Sequence, residues 1–406
     1  MVEIRGIEKS EFADFRNAFG LGFGEDQIET PEALAASRAI FPIETCLAAV
    51  DNGRYVGTFG SFAFDLTVPG GASLPMGGTT IVTVLPSHRR QGLLSKMMTR
   101  HLDQAVEMGQ PIAGLRASES AIYRRFGYGI ASWSVETEFR SDAVTLPAGP
   151  DSIRCRFVEA TEAEAMLRSV YAHQQQVVAG TLSRNDAWWQ HRTLGDLPEH
   201  RDGMSARRIV VAEDTGGVRG YLLYRQKADW SGKTAAGKVA IDELVAVDDD
   251  ARRALWSFVA NVDLFPNVGW WNMPVDEPIL IEADEPRLFA ATFVDALWLR
   301  ILDVKRSLEA RAWSTDGRLV LDVVDDTRDD GGRWELAIDA GRATCTASSA
   351  AADVTLGIAE LGALYLGGTS AVRLQRAGRI SGSPDAVVLL DRMAWWPRAP
   401  HCSQMF

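Results

Sequence analysis

Apolar residues occupy every second position from Phe62 through Phe64 and Leu66 to Val68, and a Pro-Gly-Gly turn follows, which predicts a half-buried strand. The stretch GGTTIVTVLP, residues 77–86, is rich in β-branched residues and stops at Pro86, so a second strand is expected there. Beyond it the period lengthens. Leu93, Leu94, Met97, Met98, Leu102, Ala105 and Val106 recur at helical spacing until Gly109 closes the element. Between strand and helix lies a short basic loop containing Arg89, Arg90 and Gly92. A strand over residues 111–118, a helical turn with Ile122 and Tyr123, a bend at Gly127-Tyr128-Gly129 and one more strand complete an α/β unit within residues 1–140.

The segment TLPAGPDS, residues 145–152, carries two prolines and a glycine and marks a boundary. After it the order of elements repeats: strands at RRIVVAED, RGYLLYRQ and AIDELVAV, then a helix from Asp250 towards Val262. Internal duplication is the natural inference. The turn before this helix, however, holds Asp248, Asp249 and Asp250 where the first copy has arginines and a glycine. Carboxylates cap a helix start and repel phosphate, so the second copy is expected to keep the fold without an anionic ligand. From about Leu302 short strands with turn residues predict a small α+β domain, the run 352–368 among them. The expected division is 1–148, 149–301 and 302–406. The tryptophan pairs 188/189, 270/271 and 395/396 are read as packing residues, since neighbours on a regular element point different ways.

Composition narrows the function. With 406 residues, 46% hydrophobic and 24% charged, the chain is long enough for two or three cores. Its apolar runs fall short of the roughly 20 residues that span a bilayer. Charges occupy the N-terminus where a signal peptide needs its apolar stretch, so a cytoplasmic protein is expected. Cys46, Cys155, Cys345 and Cys402 lie far apart, and the six histidines lack ligand spacing, which argues against a disulfide framework and a metal site. A net charge of −12 disfavours nucleic acid and suits cationic small molecules.

The basic loop carries the candidate chemistry. Backbone N–H groups at a helix start lack internal acceptors, and the helix dipole adds positive potential. Gly92 would let a ligand approach the backbone, and Arg89 and Arg90 would add charge-assisted hydrogen bonds to a diphosphate. The loop alone leaves open an ordinary helix start with solvated arginines. Neither a Walker loop nor a GxGxxG fingerprint is present. The stretch Arg89-Arg90-Gln91-Gly92-Leu93-Leu94 instead resembles the acyl-coenzyme A loop of GCN5-related N-acetyltransferases, Gln/Arg-x-x-Gly-x-Gly/Ala, with Leu94 replacing the small residue. Together HRRQGLLSKMM and SESAIYRRFGYG resemble the Eis family of bacterial N-acetyltransferases.

That resemblance implies tandem α/β acetyltransferase folds built on mixed sheets, the second degenerate, and a C-terminal sterol-carrier-like α+β domain in a homohexamer. It implies acetyl-CoA as co-substrate, its pantetheine along Val82, Thr83 and Val84 and its diphosphate held by Arg89, Arg90, Gln91, Gly92, Leu93, Leu94 and Ser95. Ser118 and Glu119 would add contacts. It makes Tyr123 the proton donor to the departing thiolate and the α-carboxylate on Phe406 the proton acceptor. The apolar end of WWPRAPHCSQMF suits a protein groove, a frayed terminus being the alternative. Tyr128 competes for the acid role, but its flanking glycines favour a structural bend. Glu25, Asp26 and Glu29 stand in a stretch, residues 1–60, with ten acidic and five basic residues. An acidic rim there would select an amine-bearing small molecule, such as an aminoglycoside or a polyamine, or a protein lysine; solvated helix carboxylates are the plain alternative. A different class remains open, a non-catalytic carrier of an apolar ligand in the C-terminal domain.

Overall fold

The computed structural model describes residues 2–25, 30–328 and 330–406, which form two seven-stranded mixed sheets, a five-stranded sheet and a small hairpin. The first sheet runs in the spatial order Glu3–Gly6, Leu47–Asp51, Arg54–Thr67, Ser73–Val84, Ile112–Arg116, Leu297–Ile301 and Gly129–Ile130. The alternation read at Phe62–Val68 is present as far as Leu66, with Ala63 and Asp65 exposed between the buried apolar residues, and ends at Thr67, which is itself buried. The helix expected after the basic loop spans Leu93–Glu107 and buries Leu93, Met97, Met98, Leu102 and Ala105. Val106 instead stays exposed, and His101 takes a place in the core.

The second sheet runs Ala290–Asp295, Trp133–Arg140, Asn267–Pro274, Lys238–Ala246, Gly217–Lys227, Arg208–Asp214 and Arg154–Phe157. Two strands therefore cross the expected boundaries. Trp133–Arg140 leaves the first domain to pair with Asn267–Pro274 and Ala290–Asp295. Leu297–Ile301 returns to the first sheet between Ile112–Arg116 and Gly129–Ile130. Cuts after residues 148 and 301 thus separate strands from the sheets they complete. The prolines and glycine near 147–150 lie in an irregular segment between Trp133–Arg140 and Arg154–Phe157, two strands of the same sheet, so they carry no information about sheet membership. Burial follows the exchange: Val135 and Phe139 sit in the second core, and Leu297, Leu299 and Ile301 in the first.

The C-terminal domain orders its strands Arg342–Ala347, Gly332–Asp339, Gly317–Val324, Val354–Gly357 and Ile380–Gly382. The run read as strand-like at 352–368 is the strand Val354–Gly357 followed by a helix, Ile358–Leu364, in which all seven residues are buried. A helix buried on every side has no polar face, and so no 3.6-residue period to read. It lies against the first sheet at glycines. A Cβ on Gly129 would stand 1.7 Å from the Ala359 carbonyl oxygen, and one on Gly362 2.2 Å from that of Leu299. Fully buried Arg300 ties the same contact, donating to Phe126 O at 2.7 Å and pairing with Asp325 and Asp330. Trp188 packs edge-on against Phe62 and Phe64, each ring centroid 5.3 Å away, whereas Trp189 packs on Tyr171. No helix among the described residues is long and apolar enough to cross a membrane.

Candidate active site

Ser73–Val84 pairs in parallel with Ile112–Arg116 from Met76↔Ile112 to Thr79↔Leu115 and then parts from it. On its other side it stays paired as far as Val84, with a register slip opposite Thr58 and Gly60. The slip contains Ile81 at φ 46°, a left-handed conformation that a β-branched residue adopts only under constraint. Gly60 makes the room, since a Cβ there would come within 2.9 Å of the Ile81 side chain. The bulge turns the strand away from its parallel neighbour, and Val82, Thr83 and Val84 face a cleft of about 610 Å³.

Arg89, Arg90, Gly92, Leu93, Leu94 and Ser95 line one side of this cleft, and Ser118, Glu119 and Tyr123 another. Gln91 is exposed on the loop and lies outside the cleft lining. Arg90 at φ 64° and Gly92 at φ 75° turn the backbone into the helix. Gly92 is the N-cap and offers no side-chain acceptor, and the Lys96 N–H donates to Gly92 O at 3.1 Å. The N–H groups of Leu93, Leu94 and Ser95 precede that bond and are aimed where an anion would sit. In the second domain the corresponding helix, Asp249–Ala260, starts under Asp248, which accepts from Ala251 N at 2.9 Å and pairs with Arg219. Its capping position is filled by carboxylate.

Tyr123 is almost wholly buried, and burial raises its phenol pKa above the ordinary value of about 10, with the Ser118 hydrogen bond opposing. Tyr128 stands behind it, ring centroid 6.3 Å away, with its hydroxyl 3.2 Å from Thr79 Oγ1. Thr79 in turn bonds His101 Nε2 at 2.8 Å, and burial pushes that imidazole down to about 3, so it is neutral. Tyr128 is walled into the core while Tyr123 lines the cleft.

Gly22, Phe23, His88, Ile122 and Arg125 also line the cleft, and none of them was read from sequence as a binding residue. Gly22 lets the helix Phe12–Phe23 close over the bulged strand, since a Cβ there would stand 2.1 Å from Thr83 Oγ1. The glycines at 20, 22 and 24 were the available signal. Glu25 is exposed beyond that helix and outside the cleft lining, while Asp26 and Glu29 lie outside the described residues.

The chain end is docked. Cys402 O accepts from Arg116 at 3.1 Å and Asn272 at 3.0 Å, and Gln404 Oε1 accepts from the Tyr171 hydroxyl at 2.5 Å. Phe406 is buried with its ring edge-on to Phe64, centroids 5.1 Å apart, and it lies against Gly78, next to the last paired residue of the bulged strand. Beside Phe64, a cavity of about 290 Å³ is lined by the rings of Phe41, Phe62 and Trp188. Among the described residues no group of three or more His, Cys, Asp or Glu suits a metal ion.

Comparison with known proteins agrees with this architecture. The chain matches the acetyltransferase (GNAT) domain family over residues 3–131, a second acetyltransferase (GNAT) domain family over 180–301 and the sterol carrier protein domain over 304–403. An uncharacterized N-acetyltransferase of Streptomyces griseus is 34% identical across 98% of this chain and 99% of its own. N-acetyltransferase Eis of Mycobacterium tuberculosis is 33% identical across 86% of each chain. The crystal structure of Eis1 from Mycobacterium abscessus superposes with a TM-score of 0.85 at 28% identity, covering both chains fully. Two acetyltransferase folds, a carrier-type third domain and relatives matched over nearly their whole length place this chain in the Eis family of GCN5-related N-acetyltransferases.

Proposed function

We propose that the cleft binds acetyl-CoA and that the acetyl group passes directly to a primary amine of a cationic substrate, an aminoglycoside, a polyamine or a lysine side chain. One observation carries this reading: an unpaired strand edge, an uncapped helix start and the hydroxyl-bearing Tyr123 border one cleft. Leu93, Leu94 and Ser95 would receive the diphosphate with Arg89 and Arg90, and Val82, Thr83 and Val84 the pantetheine. Arg89 is already held to the strand through Val84 O at 3.2 Å.

A free alkylamine with a pKa near 10.4 is neutral in about one molecule per thousand or fewer at pH 7, so a proton acceptor is worth having. In this reading the Phe406 carboxylate accepts that proton and Tyr123 protonates the departing thiolate. The rings beside Phe406 would hold an ammonium group by cation–π attraction. The carrier alternative is disfavoured, because the cavity bordered by Leu308, Leu361 and Leu390 in the C-terminal domain is about 10 Å³, room for a water and not for a lipid.

Incubating the protein with acetyl-CoA and a panel of polyamines, aminoglycosides and lysine peptides, and following thiol release, tests the reading. Amine-dependent release is expected, and its absence across the panel would reject it. Arg90→Glu sets a negative charge against the diphosphate and should raise the apparent constant for acetyl-CoA by about tenfold or more. Titration calorimetry should find one equivalent of coenzyme per chain, since Asp248 fills the second helix start; two equivalents would overturn that assignment. Cytoplasmic residence and a homohexamer belong to the same proposal on family grounds, for fractionation and light scattering to check.

A further inference from the structure

The second sheet opens as the first does. Lys238–Ala246 and Asn267–Pro274 run in parallel from Lys238↔Asn267 to Ile241↔Trp270 and then part. In the first sheet the opening faces the cleft. In the second, the chain's own tail enters it. Asn272, two residues past the last pair on one strand, donates to Cys402 O. Glu243, two residues past it on the other, holds Arg184 through bonds of 2.6 and 3.1 Å. Arg184 lies 3.8 Å over the Tyr171 ring and reaches Ser403 Oγ at 3.1 Å and Gln404 Oε1 at 3.3 Å. Arg116, from the end of its strand in the first sheet, shares Cys402 O with Asn272 and so closes the channel from the other side.

Burial alternates along the tail. Cys402, Gln404 and Phe406 are buried, while Met405 is 54% exposed. That alternation describes an extended segment whose inward side chains are read by the two domains in turn. Cys402 and Phe406 are four residues apart, so an extended tail spans about 13–14 Å from the second sheet's opening to Gly78 in the first.

We propose that the second domain uses its opened sheet to hold the tail, and that Asn272, Arg184 and Arg116 are positioning residues for Phe406. The catalytic half of this inference rests on the proposed role of the Phe406 carboxylate. The structural half stands alone: a cluster of buried donors converges on one carbonyl and two side chains of an extended tail.

The test compares Asn272→Ala and Gln404→Ala in the full chain by amide hydrogen exchange of residues 399–406, together with steady-state kinetics. We expect tail amides to exchange about tenfold faster or more. We also expect kcat to fall by about tenfold, with KM for acetyl-CoA unchanged and the melting temperature nearly so. Unchanged exchange in both folded variants would overturn the docking. Faster exchange with unchanged kcat would overturn the positioning role, and the Phe406 assignment with it, while leaving the coenzyme cleft intact. If the wild type releases no thiol with any amine, the proposed function fails on its own, and the exchange arm still decides whether the second domain holds the tail.

Discussion

Tyr123→Phe is expected to lower kcat by about two to four orders of magnitude while the apparent constant for acetyl-CoA changes by less than about twofold. The substitution keeps the ring in the cleft wall and against Tyr128 and removes only the proton. Because burial raises the Tyr123 phenol, the group stays protonated through neutral and mildly alkaline pH. The rate of the parent enzyme should therefore climb with pH as the amine substrate loses its proton. Tyr123 should impose no decline until above its ordinary value of about 10. Tyr128→Phe is the control: it loses the contact with Thr79 and should cost about 1 kcal/mol of stability, read as a modest drop in melting temperature. A collapse of kcat in Tyr128→Phe with Tyr123→Phe unaffected would exchange the two assignments.

One glycine appended after Phe406 should reduce kcat by about a hundredfold or more with coenzyme binding retained. The phenyl ring keeps its seat beside Phe64 and Gly78, but the carboxylate moves by one residue, about 3.5 Å when extended. A misplacement of about 1 Å is enough to cost on that order. An unperturbed α-carboxyl group, with a pKa of roughly 3.3–3.7, is a weak base at neutral pH, and desolvation is the effect that would raise that value towards a useful range. Full turnover in the extended protein would remove Phe406 from the mechanism and send the search for a base to Glu25, Asp26 and Glu119.

The strand, basic loop and helix that border the cleft were legible because their signals are local. A β-branched run ending at Pro86, a basic loop and a helix with a clean 3.6 period occupy consecutive residues, and a short motif can report them. The aspartates at 248–250 were legible for the same reason, and Asp248 caps its helix as their position requires. The bulge at Ile81 was not, since its cause is Gly60 on the neighbouring strand. Gly22 escaped notice because its reason is Thr83, about sixty residues away. The exchange of Trp133–Arg140 for Leu297–Ile301 left no mark, because an apolar strand reads alike whichever sheet receives it. The buried helix Ile358–Leu364 lacked a polar face to betray its period.

That strand exchange also fixes when the enzyme can exist during its own synthesis. The Ile112–Arg116 strand needs Leu297–Ile301 as its outer neighbour, so the ribosome must add about 170 residues beyond position 131 before the first sheet can close. At roughly 5–20 residues per second, that leaves an apolar edge waiting for about 8–35 s, a window in which nascent chains recruit chaperones or aggregate. A gene fragment ending near residue 131 would leave that edge permanently open. The first sheet is thus closed by a strand from beyond the first matched domain, so recombination that moved residues 3–131 alone would leave Leu297–Ile301 behind.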